Sequence, residues 1–383
     1  MPAIARRLEP IPGFNIDRVA AAAGDDPDVL RMENLDTDLP VPRGVEEATR
    51  EAVGRLDANS WLPFDGKPEM KEAVAAFIER RSGMRYDPLG EVVITGGDDA
   101  MLNALLVTVD PGDEVVVTDP TYAGMVNRVR LASSVPRFAP LVPGDDGWRL
   151  DIEGLTEAVT ERTRAIFIMS PSLPSGWVAS RQEWDAIADL CRRHDLWLIS
   201  MAWWEGMVFD GLPVISPASL PDVRDRLIIA GSVSLEQRMT GWRIGWTVGP
   251  ERIHSELSKT QIYNALVPSG ILQAGARVAL SESPEDLAQI VAELQRRRDE
   301  TLRQLEGFPV IPSSGGWSLL MDTEAIGIDC ADASKRMLEQ KVAATQMRGW
   351  GDRVADRYLR FVYSREPLER LALVGERARA ALQ

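Results

Sequence analysis

The chain has 383 residues, 45% hydrophobic and 26% charged, enough for one large domain plus a smaller one. That balance excludes a disordered tail protein, a coiled coil and a collagen-like repeat. With 43 Lys and Arg against 58 Asp and Glu the formal charge is −15, and so acidic a surface argues against a nucleic-acid or anionic-membrane partner.

No apolar run approaches the roughly 18 residues of a membrane span, and the start MPAIARRLEPIPGF has no signal-peptide core. Cys191 and Cys330 stand far apart with no CxxC, which points to a reducing cytoplasm and against a cysteine metal site. The only two histidines, His194 and His254, sit in polar helical stretches and read as surface residues rather than catalysts or ligands.

In chain order, the first 45 residues, rich in Pro and Asp, read as an arm that packs on a second domain or on a partner subunit. Short β-branched runs follow at 92–94, 115–117, 164–168, 196–199 and 227–229. They are nearly continuous in apolar content, as parallel strands buried on both faces are. Helical stretches separate them at 98–108, 122–132 and 181–194, with turns at 111–113 and 146–147. This alternation predicts a mostly parallel, doubly wound α/β domain over 46–285. A long helix around 286–305 and strands near 310, 317–321 and 359–363 predict a small α+β domain over 286–383.

The segment GSVSLEQRMTGWRIGW at 231–246 resembles the lysine-bearing segment of class I/II aminotransferases, fold-type I enzymes dependent on pyridoxal phosphate (PLP). Five more segments agree in order. NSWLPFDG at 59–66 is similar to the family's aromatic turn, and TGGDDA at 95–100 to its phosphate loop. DPTYAG at 119–124 is similar to the cofactor-stacking segment, and SPSLPSG at 170–176 to NPNNPTG. RFVYS at 360–364 resembles the strand whose arginine holds the substrate carboxylate. By this resemblance Arg243 is the phosphate arginine, Arg360 the carboxylate clamp and Tyr122 the ring-stacking aromatic.

The same resemblance exposes departures. Leu235 stands at the Schiff-base lysine, Met201 at the aspartate that keeps the pyridinium protonated, and Trp204 at the tyrosine that bonds the ring hydroxyl. Leu173 replaces the family asparagine, and Asp98 sits where a small phosphate-loop residue is usual. A pyridinium beside Met201 would be desolvated without a counter-ion.

These losses read as an enzyme needing no cofactor, a cyclase, lyase or isomerase in specialised metabolism acting on a small cationic or arginine-derived amino acid. Glu205, Asp38 and Tyr263 are its candidate acid/base residues, and Arg360, Arg243, Tyr122, Trp61, Trp204 and Asp98 its candidate ligand contacts. Two alternatives stay open: a catalytically dead homologue serving as a regulatory partner, and a user of non-covalently bound pyridoxamine phosphate. A homodimer is expected, with the turn around Trp61 reaching the neighbour's cavity.

Overall fold

The computed structural model describes residues 4–13, 15–352 and 354–383; Met1 to Ala3 and Phe14 of the opening segment lie outside them. Its centre is an eight-stranded sheet. The spatial order is Val92–Thr95, Gly245–Val248, Leu227–Ser232, Trp197–Ala202, Thr163–Met169, Glu114–Asp119, Val135–Gly144 and Gly147–Leu150. The neighbours from Leu227–Ser232 through Val135–Gly144 run parallel, while Gly245–Val248 is antiparallel to both strands beside it. Every residue of Val92–Thr95, Glu114–Asp119 and Leu227–Ser232 is buried. Their unbroken β-branched runs thus belong to strands covered by helices on both faces.

The helices begin where the local chemistry sets them. Ser180 and Glu183 form a reciprocal capping box at the start of Arg181–Arg193. Ser283 caps Pro284–Gln304, whose Pro at the first turn has no amide proton to leave unpaired.

Beyond that long helix a four-stranded antiparallel sheet joins Val310–Ile311, Ser318–Asp322, Tyr358–Val362 and Thr345–Gln346. The chain start packs here, because Leu30–Arg31 pairs in parallel with Val342–Ala343. The strand at 135–144, its hairpin return at 147–150 and the antiparallel strand 245–248 carry no expectation from the sequence. Proline at 136, 140 and 143 and glycine at 245 break the apolar runs that betray the others. Among the described residues no helix is long and apolar enough to cross a membrane.

Candidate functional site

Parallel strands deliver their following loops to one edge of the sheet, where open α/β folds place ligands. At this edge lies a cavity of about 230 Å³ lined by Ile16, Asp17, Asn34, Leu35, Asp98, Tyr122, Trp203, Ser234, Leu235, Thr240 and Arg243. One wall is aromatic: the Tyr122 and Trp203 ring centroids are 5.4 Å apart. Burial pushes the Tyr122 phenol up from its ordinary value, so its hydroxyl stays protonated at neutral pH.

The opposite wall is an anion cradle. Arg243, in the left-handed backbone region at φ 53°, donates to Ser234 Oγ at 2.9 Å, and Ser232 Oγ lies 2.7 Å from Ser234 Oγ. Gly97, at φ 67°, lets the chain pass close beside it, where an added Cβ would stand 2.9 Å from Arg243 Nη2. The cradle already holds a carboxylate, since Arg243 Nη2 meets Asp98 Oδ1 at 3.2 Å. Asp98 is only half-buried and has Arg128 at 3.8 Å as a second cation. Removing Arg243 therefore does not strand Asp98.

Arg360 lies beside this cavity and is fully buried. Its guanidinium packs 4.6 Å from the centre of the Trp350 ring, and that ring stands 5.7 Å from Tyr122. One Nη donates to the Glu33 carbonyl, while Nε and the other Nη have no partner among the described residues. Among the described residues no carboxylate forms an ion pair with it, so the buried Asp that would have given it a purely structural role is absent. Burial pushes its guanidinium down to about 9, only partly opposed by Glu33. A buried guanidinium with two idle donors can accept a carboxylate as a bidentate partner.

The three candidate acid/base residues are not brought to the cavity. Asp38 pairs with Arg297 at 2.6 Å on the long helix, and Tyr263 is 90% exposed. Glu205 is buried away from the cavity lining, with Arg81 and Glu236 as its charged neighbours and Oε1 unpaired among the described residues. Burial raises its carboxyl to about 7, with Arg81 opposing and Glu236 adding to the rise. Arg81 instead grips Glu236 through two bonds of 2.8 and 2.6 Å. The groove beside them is a separate one, about 580 Å³, which Phe77, Arg81, Gly206 and Leu287 help to line.

Trp204 is packing rather than a ligand contact: its Nε1 donates to the Pro171 carbonyl at 2.7 Å and its ring lies 5.8 Å from Trp317. The strand ends at Ala202, and adjacent side chains diverge, so Trp203 takes the cavity wall. Trp61 is 70% exposed beside Phe64 and does not reach this chain's own cavity. Trp350, Asn34 and Asp17 were not legible as site residues. Neither Trp350 nor Asp17 sits in a segment with a recognisable pattern, and Trp350 is brought in by a pairing between distant parts of the chain.

The protein-family model for aminotransferase class I and II matches residues 31–372. Arginine–pyruvate transaminase AruH of Pseudomonas aeruginosa is 30% identical over 84% of this chain and 82% of its own. Aspartate/prephenate aminotransferase of Cereibacter sphaeroides is 34% identical over 76% and 72%. Among solved structures, N-succinyldiaminopimelate aminotransferase from Mycobacterium tuberculosis superposes with a TM-score of 0.90 at 29% identity, covering 99% of this chain and all of that one.

The relatives are enzymes named for amino-group transfer. They overturn the expectation of a cofactor-free cyclase, lyase or isomerase of specialised metabolism, together with its alternatives of a dead regulatory homologue and a pyridoxamine phosphate user. The residues present meet PLP unevenly. Arg243, Ser232 and Ser234 suit its phosphate and Tyr122 its ring, although Asp98 competes for the same guanidinium. Leu235 and Met201 are buried at the lysine and aspartate positions, and no lysine lines the cavity among the described residues. The covalent attachment therefore does not fit this chain.

Proposed function

Since the chain belongs to the class I and II aminotransferases, we propose that its site handles the amino acid and 2-oxo acid pair of a transaminase, gripping the α-carboxylate they share. One observation carries this reading: Arg360 is fully buried with two donors unpaired. The carboxylate lies on the Arg360 fork, and the aromatic wall of Tyr122 and Trp203 orients the rest of the molecule. Trp350, itself buried, excludes water from the guanidinium and so strengthens its hold on an anion. Asp17 and Asp98 at the cavity favour a cationic substituent, in keeping with the arginine named for one relative.

The same reading makes the protein a cytoplasmic homodimer. Its two cysteines are buried and unpaired, as suits a reducing compartment. Val53, Leu56, Trp61, Tyr263 and Leu266 expose large apolar surfaces. Their segments meet near Gly270, where an added Cβ would stand 2.5 Å from the Ala58 carbonyl. A second copy covers that patch. Sedimentation at micromolar concentration tests it, a monomer being the contrary result.

The function is tested by calorimetric titration of pyruvate and L-arginine, alongside an assay of amino transfer from L-arginine or L-aspartate to pyruvate with PLP supplied. Arg360→Lys is expected to weaken binding by roughly 10- to 100-fold, because a bidentate charge-assisted contact is lost. Absence of transfer with both donors overturns the transaminase reading, and unaltered binding in the variant overturns the role of Arg360.

A further inference from the structure

We propose that Asp119 is a positioning residue that latches residues 350–352 and 354–355 across the site, holding Trp350 over the Arg360 guanidinium. The inference rests on the carboxylate-binding reading of Arg360 and adds a residue to it.

Asp119 ends the strand Glu114–Asp119 of the eight-stranded sheet and is 3% exposed. Its carboxylate receives three backbone amides from a segment more than 230 residues away. Oδ2 accepts from Asp352 at 3.1 Å and Val354 at 3.3 Å, and Oδ1 from Ala355 at 3.2 Å. The Thr121 amide donates to the Trp350 carbonyl at 2.7 Å, so both sides of the crossing are tied. At Gly351 an added Cβ would stand 1.8 Å from Asp119 Oδ1, which leaves room for glycine alone. No cation pairs with Asp119 among the described residues, so the amides are its hydrogen-bonded counterparts.

This geometry asks for a carboxylate. Three donors converge on two oxygens, and an ionised carboxyl is the side chain that accepts at both without carrying a donor of its own. An amide in its place turns an N–H toward one of the incoming amides. What the latch holds is Trp350, whose ring lies on the Arg360 guanidinium and against Tyr122. Loosening the segment uncovers Arg360, and water then competes for the fork that binds the carboxylate.

The test compares the parent, Asp119→Asn, Gly351→Ala and Arg360→Lys as full chains. The two readouts are amide hydrogen exchange of the 350–355 peptide and calorimetric affinity for L-arginine and its methyl ester, which lacks the carboxylate charge. In Asp119→Asn, or in Gly351→Ala should the first not fold, exchange of that peptide is expected to rise at least about tenfold. L-arginine affinity is expected to fall by about tenfold, the scale of one lost charge-assisted hydrogen bond, with the ester unaffected.

Unchanged exchange in both variants overturns the proposal, and so does a fall that is equal for acid and ester, since a merely structural role moves both. Failure of the underlying reading looks different: there Arg360→Lys itself keeps the parent's affinity for L-arginine.

Discussion

Replacing Arg360 with methionine gives the sharpest test of how the site stores its affinity. Burial takes the guanidinium well below its ordinary value, down to about 9. A fall of that size corresponds to a penalty on the order of 5 kcal/mol on the charged form, the attraction of Glu33 already included. The Trp350 face returns about 1–2 kcal/mol and the Glu33 carbonyl a similar amount. A net cost of about 2 kcal/mol therefore sits in the ligand-free protein, to be recovered when a carboxylate arrives. Methionine fills much of the same volume without a charge. Arg360→Met is expected to raise the ligand-free melting temperature by on the order of 2–4 °C, as relief of a penalty this size does in a chain of several hundred residues. It should also abolish the further rise that saturating pyruvate gives the parent through mass action. Thermal melting of both proteins, with and without pyruvate, reads this directly. A variant that melts several degrees below the parent shows that the guanidinium is a structural partner, and the argument from its idle donors fails.

Two further perturbations follow from the charges around the sheet edge. Glu205, held near 7 by burial, keeps its proton to higher pH in the native state than in the unfolded chain. The native state therefore binds more protons between about 4.5 and about 7, and stability falls as pH rises across that window. Glu205→Gln should remove this slope and be more stable at pH 7.5 by up to about 3 kcal/mol, a ceiling because the charges of Arg81 and Glu236 share in setting it. Denaturant titrations at pH 4.5, 6 and 7.5 decide it, and a slope equal to the parent's counts against a buried protonated carboxyl. Arg243→Ala should cost less than about 1 kcal/mol, because the Arg243 side chain is 45% exposed and Asp98 retains Arg128 nearby. A loss above about 2 kcal/mol in the same titrations would show that the Arg243–Asp98 pair is far better shielded than its exposure indicates.

The sequence by itself determined the family, five strands of the large sheet and the two arginines worth looking for at its edge. Strands such as Val92–Thr95 and Leu227–Ser232 are legible because a doubly buried strand must be apolar throughout. The helix Arg181–Arg193 is legible because its cap and its apolar face are written within one short window. Arg360 and Arg243 were legible through motifs that keep their residues together. The tertiary structure decided which neighbours those residues meet. Trp203 and Trp204 are adjacent in sequence, yet one faces the cavity and the other the core, because the strand ends at Ala202 and the backbone then turns. Asp38 and Glu205 look alike as acid/base candidates. Only the packing of the long helix gives Arg297 to the first, and only the approach of Arg81 gives Glu236, rather than Glu205, a paired charge. Trp350 and Asp119 are more than 200 residues apart and belong to no shared pattern. Their roles arise where the end of a central strand meets a loop that closes the four-stranded sheet. Local chemistry fixes elements, because propensity and burial act over a few residues. Partners across the cleft are fixed by contacts between distant segments, which no short window of sequence contains.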